Sequence, residues 1–579
     1  MTKHQWKKYL IALGSAILSV SFIVPIAVSC SASAQQPNDQ NRPLLPGTPI
    51  PPEGGVNPPT TPENPEGENK PPVPPTTPEG ETTPPVTPPK PPISGGSGGT
   101  YFHKWGHSGP NPNYANDKGN SFLISPTGQT QGAGYHPSPG VPQHAKLESW
   151  KFTNQQQVKN SQKTFAITIG FAHYGTGWIL DYKIPDGVDE TQDGFKYTDD
   201  NYPTTWYIAS NAHVFDDFVD GKPNDPGILY PNPETDHVGN KIDRTSSVSL
   251  QFVENPQIGD ANRVLETAPL SVNNTYRTDA GRYEVTDTNV SMRRVYVGND
   301  FLTTSPNQFN QAARFASGMQ EYADFAVLEV TFLPYQQTKK DTTTQQVTTQ
   351  TLATAGQWAK FATQNYANLP ANEKFTYKKT DLLNEKSQLN GGFNIVGYPG
   401  TQSTGRNLFI NRPAGETTTN SSPLSTSPNY TTFGDTYPGI MDGIIGMGGW
   451  FGYTYKSTET TYATWGLIYP SDYGSLSGGS SGSLVTDDSG VAWGIHFAGD
   501  DVASTGLAQA FYSKGFDYQG YYGAYNLPAY DLIAGEPESE QFPLQKTSYR
   551  ANLVKLYGNQ NQPYRTNLFP QGINNAVYK

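Results

Sequence analysis

The chain has 579 residues, a net charge of −12, only 16% charged side chains and one cysteine. The acidic balance excludes non-specific nucleic-acid binding, which needs a basic footprint, and the lone cysteine excludes an internal disulfide. No phosphate-binding loop, HExxH or CxxC pattern occurs, so neither a cofactor nor a metal is expected.

The N-terminus carries Lys3, Lys7 and Lys8, then an almost uncharged apolar stretch from Tyr9 to Val28, then Ala27-Val28-Ser29-Cys30. This pattern resembles a bacterial lipoprotein signal, which implies a signal peptide over 1–29 and lipidation at Cys30. An uncleaved anchor is the alternative, because the apolar stretch is almost long enough to span a bilayer. Either arrangement puts the body on the outer face of the cell membrane.

Residues 30–100 form a tether. Twenty-one prolines lie between Ser31 and Thr100, and "SGGSGG" closes the segment. Such a sequence cannot bury a core, and at ~3.1 Å per residue it reaches roughly 200 Å. An N-terminal extension, polar and rich in Gly, Pro and Asn, follows over 101–163. His103 and His107 stand four apart there, but Gly106 and the absence of helical pattern make a loop, not a metal site, the expectation.

The folded body begins at Thr164. Short runs rich in Val, Ile, Tyr, Phe and Trp recur between turn signals: "TWYIASNAHVF", "SVSLQFV", "RRVYVGND", "DFAVLEVTF", "FNIVGYPG" and "SLVTDDSGVAWGIHFAG". Each is a strand signature. The exception is Thr351 to Pro370, whose Ala, Leu, Gln and Lys content predicts one helix closed by the proline. Many short strands with one inserted helix give a mainly β fold of the barrel or sandwich class.

"GGSSGS", from Gly478 to Ser483, raises the chemistry. A serine nucleophile needs a base, a carboxylate to orient that base, and donors for the oxyanion. Glycines let backbone N–H groups converge on one spot without Cβ obstruction. Ser481, flanked by Gly479 and Gly482, is the candidate nucleophile, with Ser480 its rival. The N–H groups of Gly479 and Ser481 would form the oxyanion hole. His213, at the end of an apolar run, is the candidate base; Asp324, directly before another, is the candidate orienting carboxylate.

The order His213, Asp324, Ser481 is that of the chymotrypsin-like fold. With "GTGWIL" (Gly175 to Leu180), "IASNAHV", "DFAVLEV", "VGYPG" (Val396 to Gly400) and "GSSGSLV…WGIHFAG", the chain resembles the trypsin-like serine peptidases, and among them the glutamyl endopeptidases. The resemblance implies a double β-barrel with long insertions: a first barrel over 164–335, a helical insertion over 336–385, a second barrel over 386–515, and a C-terminal extension over 516–579. It also implies substrate contacts from His496, Phe497 and Ser475. Lipoprotein signal, tether and insertion-rich peptidase domain together resemble the mycoplasma immunoglobulin protease family. That resemblance implies a cell-surface serine endopeptidase that removes the variable domain of the immunoglobulin heavy chain with an immunoglobulin-binding partner lipoprotein. A catalytically inactive binding or adhesion lipoprotein, and a surface protease with another substrate, are the alternatives.

Overall fold

The computed structural model describes residues 121–124 and 152–575, except 153, 171–172, 217, 222–228, 231–244, 259–264, 305–319, 382–392, 399, 402–404, 407–408, 411–438, 445–453, 456–459, 473–478, 501–504 and 518–525. The signal peptide, Cys30, the tether, His103, His107 and Ser475 lie outside the described residues. Those that are described belong to one unit.

Strands form where β-branched and aromatic residues recur. Ser247–Phe252 alternates between half-buried and buried residues, as a strand with one face on the core and one toward solvent does. Thr205–Ser210 is buried over five of its six residues and therefore lies in the centre of its sheet. It pairs antiparallel with His173–Tyr182 on one side and with Gln320–Asp341 on the other. Thr164–Ile169 continues the sheet beyond His173–Tyr182, followed by Ser247–Phe252 and Glu266–Ser271.

Among the described residues the first sheet holds eleven strands and the second eight. In the second, Phe393–Gly397, Leu484–Asp487, Ala492–Asp500, Thr505–Ala510 and Leu467–Asp472 pair antiparallel in that order. The protein is thus mainly β, a chymotrypsin-like double barrel with insertions. Six strands per barrel is the plain form of that fold; here long hairpins widen the first sheet, and Ser121–Ile124 joins the second by pairing with Gly439–Ile444. Where the chain passes between the sheets, Thr460–Thr464 pairs parallel with the start of Gln320–Asp341.

The helix expected from Thr351 to Pro370 is shorter and starts later. Thr351 and Ala353 pair with Gln336 and Tyr335, so the stretch from 336 opens as a hairpin of the first sheet, not as a helical insertion. The helix covers Ala355–Ala362. A capping box starts it: Gln357 N donates to Thr354 Oγ1 (3.2 Å) and Thr354 N donates to Gln357 Oε1 (3.1 Å). It ends where Gln364 and Asn365 turn left-handed, with φ of 54° and 57°. Trp358, Ala359 and Ala362 bury its inner face against the core of the first barrel.

The C-terminal extension completes the core. Its helix Tyr549–Tyr557 places Tyr549 and Leu553 in the same apolar cluster as Trp178, Phe325, Trp465 and Ile495. Beyond it, Leu568 N donates to Asp181 Oδ1 at 3.0 Å, and Asn567 N donates to the carbonyl of Tyr182 at 3.0 Å. Asp181 is fully buried and also accepts from Tyr549 at 3.2 Å.

Candidate active site

Strand register brings the first two candidates together. Ser210 stands opposite Ala326, so the chain just beyond Ser210 runs beside the residues just before Ala326. There the chain turns into a short 3-10 segment, His213–Phe215. His213 Nδ1 lies 2.6 Å from Asp324 Oδ2, and the backbone N–H of His213 donates to Asp324 Oδ1 at 3.1 Å. Asn211 Nδ2 donates to the Asp324 carbonyl at 2.6 Å and ties the two segments once more. Asp324 is fully buried, while the His213 side chain is 18% exposed. A carboxylate so placed fixes one tautomer: Nδ1 carries the proton, and Nε2 is left to accept one.

Ser481 comes from the turn before Leu484–Asp487, in the other sheet. Thr176 of the first sheet holds that turn. Its N–H donates to the Ser481 carbonyl (2.8 Å) and its hydroxyl to the Gly479 carbonyl (2.9 Å). The same hydroxyl accepts from Tyr398 N at 2.9 Å, and the Thr176 carbonyl accepts from Ser210 Oγ at 2.6 Å. A Cβ on Gly175 would lie 2.6 Å from the Val214 methyls and 3.2 Å from the Ser481 carbonyl. Gly175 is therefore packed between the histidine turn and the serine turn, and any side chain would push them apart.

The serine turn itself requires glycine. Gly479 and Gly482 have φ of +97° and +94°, a region that L side chains rarely adopt. A Cβ on Gly482 would stand 1.9 Å from the Thr176 carbonyl oxygen. Ser483 closes the turn from the other side, donating from N (3.0 Å) and Oγ (2.6 Å) to the Ser480 carbonyl. Gly482 N then donates to the His496 carbonyl, and His496 N to the Ser483 carbonyl, each at 2.8 Å.

Those last bonds set His496 directly beneath the serine turn. Its side chain is buried, and Nδ1 has no hydrogen-bond partner among the described residues. Burial, helped by the like charge of His213, pushes its pKa down to about 3, so the ring is neutral at physiological pH. Phe497 is buried at a bulge in the pairing of Ala492–Asp500 with Thr505–Ala510, the device that often re-aims side chains beside active sites. Among the described residues no group of three or more His, Cys, Asp or Glu is placed to hold a metal. Motif reading assigned no role to Thr176, Ser210 or Asn211. Their polar side chains inside apolar runs were the available signal.

The profile of the family described as Mycoplasma immunoglobulin protease matches residues 149–498, more than half of the chain. A membrane-associated lipoprotein of Ureaplasma parvum serovar 3 is 28% identical, over 69% of this chain and 50% of the relative. The chain thus spans half the length of that relative. A solved structure of the mycoplasma MIB and MIP proteins is 20% identical with a TM-score of 0.44, over 69% of this chain and 60% of that one. A Glu endopeptidase is 13% identical with a TM-score of 0.22, over 63% of this chain and 90% of that one. No helix among the described residues is long and apolar enough to cross a membrane. On the profile match, the chain belongs to the mycoplasma immunoglobulin protease family.

Proposed function

We propose that the protein is a serine endopeptidase, lipid-anchored through Cys30 on the outer face of the membrane. Ser481 is the nucleophile, His213 the general base and acid, and Asp324 the carboxylate that orients the ring. The Ser481 hydroxyl passes its proton to His213 Nε2 as Oγ attacks the scissile carbonyl. The imidazolium so formed is stabilised by Asp324, and then protonates the leaving amine. The N–H groups of Gly479 and Ser481 receive the oxyanion. His496 and Phe497, with Ser475, line the pocket for the residue before the scissile bond. The substrate is the immunoglobulin heavy chain, cut so that the variable domain is released, with an immunoglobulin-binding lipoprotein as partner.

The observation that carries this reading is the 2.6 Å contact between His213 Nδ1 and a fully buried Asp324. A purely structural histidine has no need of a desolvated carboxylate on one nitrogen of a ring that keeps partial solvent access. Family membership supports the substrate and partner. The test is Ser481→Ala beside Ser480→Ala, read by fluorophosphonate labelling and by digestion of immunoglobulin with and without the partner lipoprotein. Ser481→Ala should abolish labelling and reduce turnover by about 10⁴ to 10⁶, while Ser480→Ala keeps both. Labelling that survives in Ser481→Ala would move the nucleophile elsewhere. Labelling without immunoglobulin cleavage would keep the chemistry and reject the substrate.

A further inference from the structure

Four strands extend the first sheet into an arm: Asn274–Thr278, Tyr283–Asn299, the end of Gln320–Asp341, and Val347–Ala353, paired in that order. Register places Thr275, Thr286, Thr338 and Thr349 in one row across all four. Their hydroxyls bond in pairs, Thr275 with Thr286 at 2.9 Å and Thr338 with Thr349 at 3.0 Å. The last hairpin is held by Asp341, whose Oδ1 accepts from the N–H groups of Thr343 and Thr344, each at 2.9 Å.

Val347–Ala353 ends the arm and pairs on one side only among the described residues. Asp341 N donates to the Gln346 carbonyl at 2.8 Å, which sets the alternation of the ladder. Thr348 and Gln350 then turn their N–H and C=O inward, and Val347, Thr349 and Thr351 turn theirs outward. The close approach of the Thr338 and Thr349 hydroxyls agrees, because side chains come nearer in the non-hydrogen-bonded pairs. Residues 347–351 are all exposed, Val347 by 59%. No charged residue occurs from Thr342 to Ala359. Natural edge strands are guarded by lysine, proline, a bulge or a cover. Among the described residues the guard here is a bulge at the inner end, between Thr351 and Ala353.

We propose that Val347–Thr351 is a self-association edge, on which the same segment of a second copy pairs antiparallel about Thr349. The outward backbone groups are symmetric about that residue: Val347 meets Thr351 of the other copy, Thr349 meets its equivalent, and each of these pairs exchanges two hydrogen bonds. The threonine row then runs unbroken through both copies. A second copy fits better than a charged partner because the edge strand itself carries no charge, and the nearest ones, Lys339 and Lys340, sit one strand inward. Two chains of net charge −12 can also approach there without juxtaposing like charges. A seam this narrow falls below the ~1,200 Å² of a stable interface, so the dimer is weak and reversible.

The test is Thr349→Cys in the full chain, with the unsubstituted protein, whose only cysteine is Cys30, as control. In a hydrogen-bonded antiparallel pair the Cα atoms lie ~5.5 Å apart, within disulfide range. Mild oxidation should give a disulfide-linked dimer in at least about tenfold the yield of Thr275→Cys, which sits on the opposite edge of the same arm. Adding Val347→Lys and Thr351→Lys sets lysines directly opposite one another and should return the yield to that of the control. Equal yields from Thr349→Cys and Thr275→Cys, or a dimer indifferent to the lysines, would overturn the proposal. Sedimentation velocity of the unsubstituted chain gives an independent reading: a dimer that grows with concentration is expected, and a monomer throughout refutes it.

Discussion

At the scale of single residues, Thr176 is the joint between the two barrels. It makes four hydrogen bonds with its own N–H, hydroxyl and carbonyl, three of them to the other barrel. Thr176→Val keeps the shape and leaves the Gly479 carbonyl and the Tyr398 N–H unpaired, at a cost of about 1–3 kcal/mol. Displacement of the serine turn should slow fluorophosphonate labelling by ~10², and Thr176→Ser should recover most of the rate. A labelling rate unchanged in Thr176→Val would show that the turn holds its geometry without the threonine hydroxyl. His496 carries a second prediction. A ring with its pKa near 3 stays neutral from pH 5 to 8, so the residue preferred before the scissile bond in a peptide library should be the same at both ends of that range. His496→Ala should shift the preference. A preference for acidic residues that fades above pH 6 would mean that the ring titrates in the complex.

At the scale of elements, what could be read along the chain is what local chemistry decides. The strands bearing His213 and Asp324 announce themselves by aromatic and β-branched runs, and the serine turn by its glycines. Register and the 3-10 turn at His213–Phe215 then bring His213 and Asp324 within a hydrogen bond. What was not legible depends on distant partners. The start of the expected helix went to a strand because Thr351 and Ala353 found Gln336 and Tyr335 across a hairpin, and tertiary pairing outweighs the small differences in helix propensity. Thr176 bonds to residues some 300 positions away, beyond any motif. The capping box is the opposite case, a purely local signal. Thr354→Ala removes it and should cost about 1 kcal/mol, measured as a lower urea midpoint with an unchanged slope. No loss would mean that packing of Trp358 alone sets where the helix begins.

At the scale of the whole molecule, buried carboxyls set the pH response. Burial, with the charge of Asp300 nearby, pushes Glu321 up to about 8; burial pushes Asp181 up to about 7. Both hold their protons in the folded state to a higher pH than in the unfolded chain, where carboxyls titrate near ~4. Between those values the folded state binds more protons, so stability is greatest at the acid end and falls as pH rises toward 8. The melting temperature should drop from pH 5 to pH 8. Glu321→Gln should flatten part of that slope, since the amide still accepts from Leu302 N, a 2.7 Å bond in the native protein. A slope identical in the variant would assign the effect to other groups.

The bond from Leu568 to Asp181 spans 387 residues. Folding therefore cannot finish in the order of synthesis. The strand that carries Gly175 and Thr176 reaches a buried carboxyl whose partner, Leu568, lies far along the chain. Contacts this remote make folding slow, and a chain without Tyr549 to Phe569 exposes part of the core that holds the site. The core around the site therefore closes only once Tyr549 to Leu568 have been made: a delay written into topology.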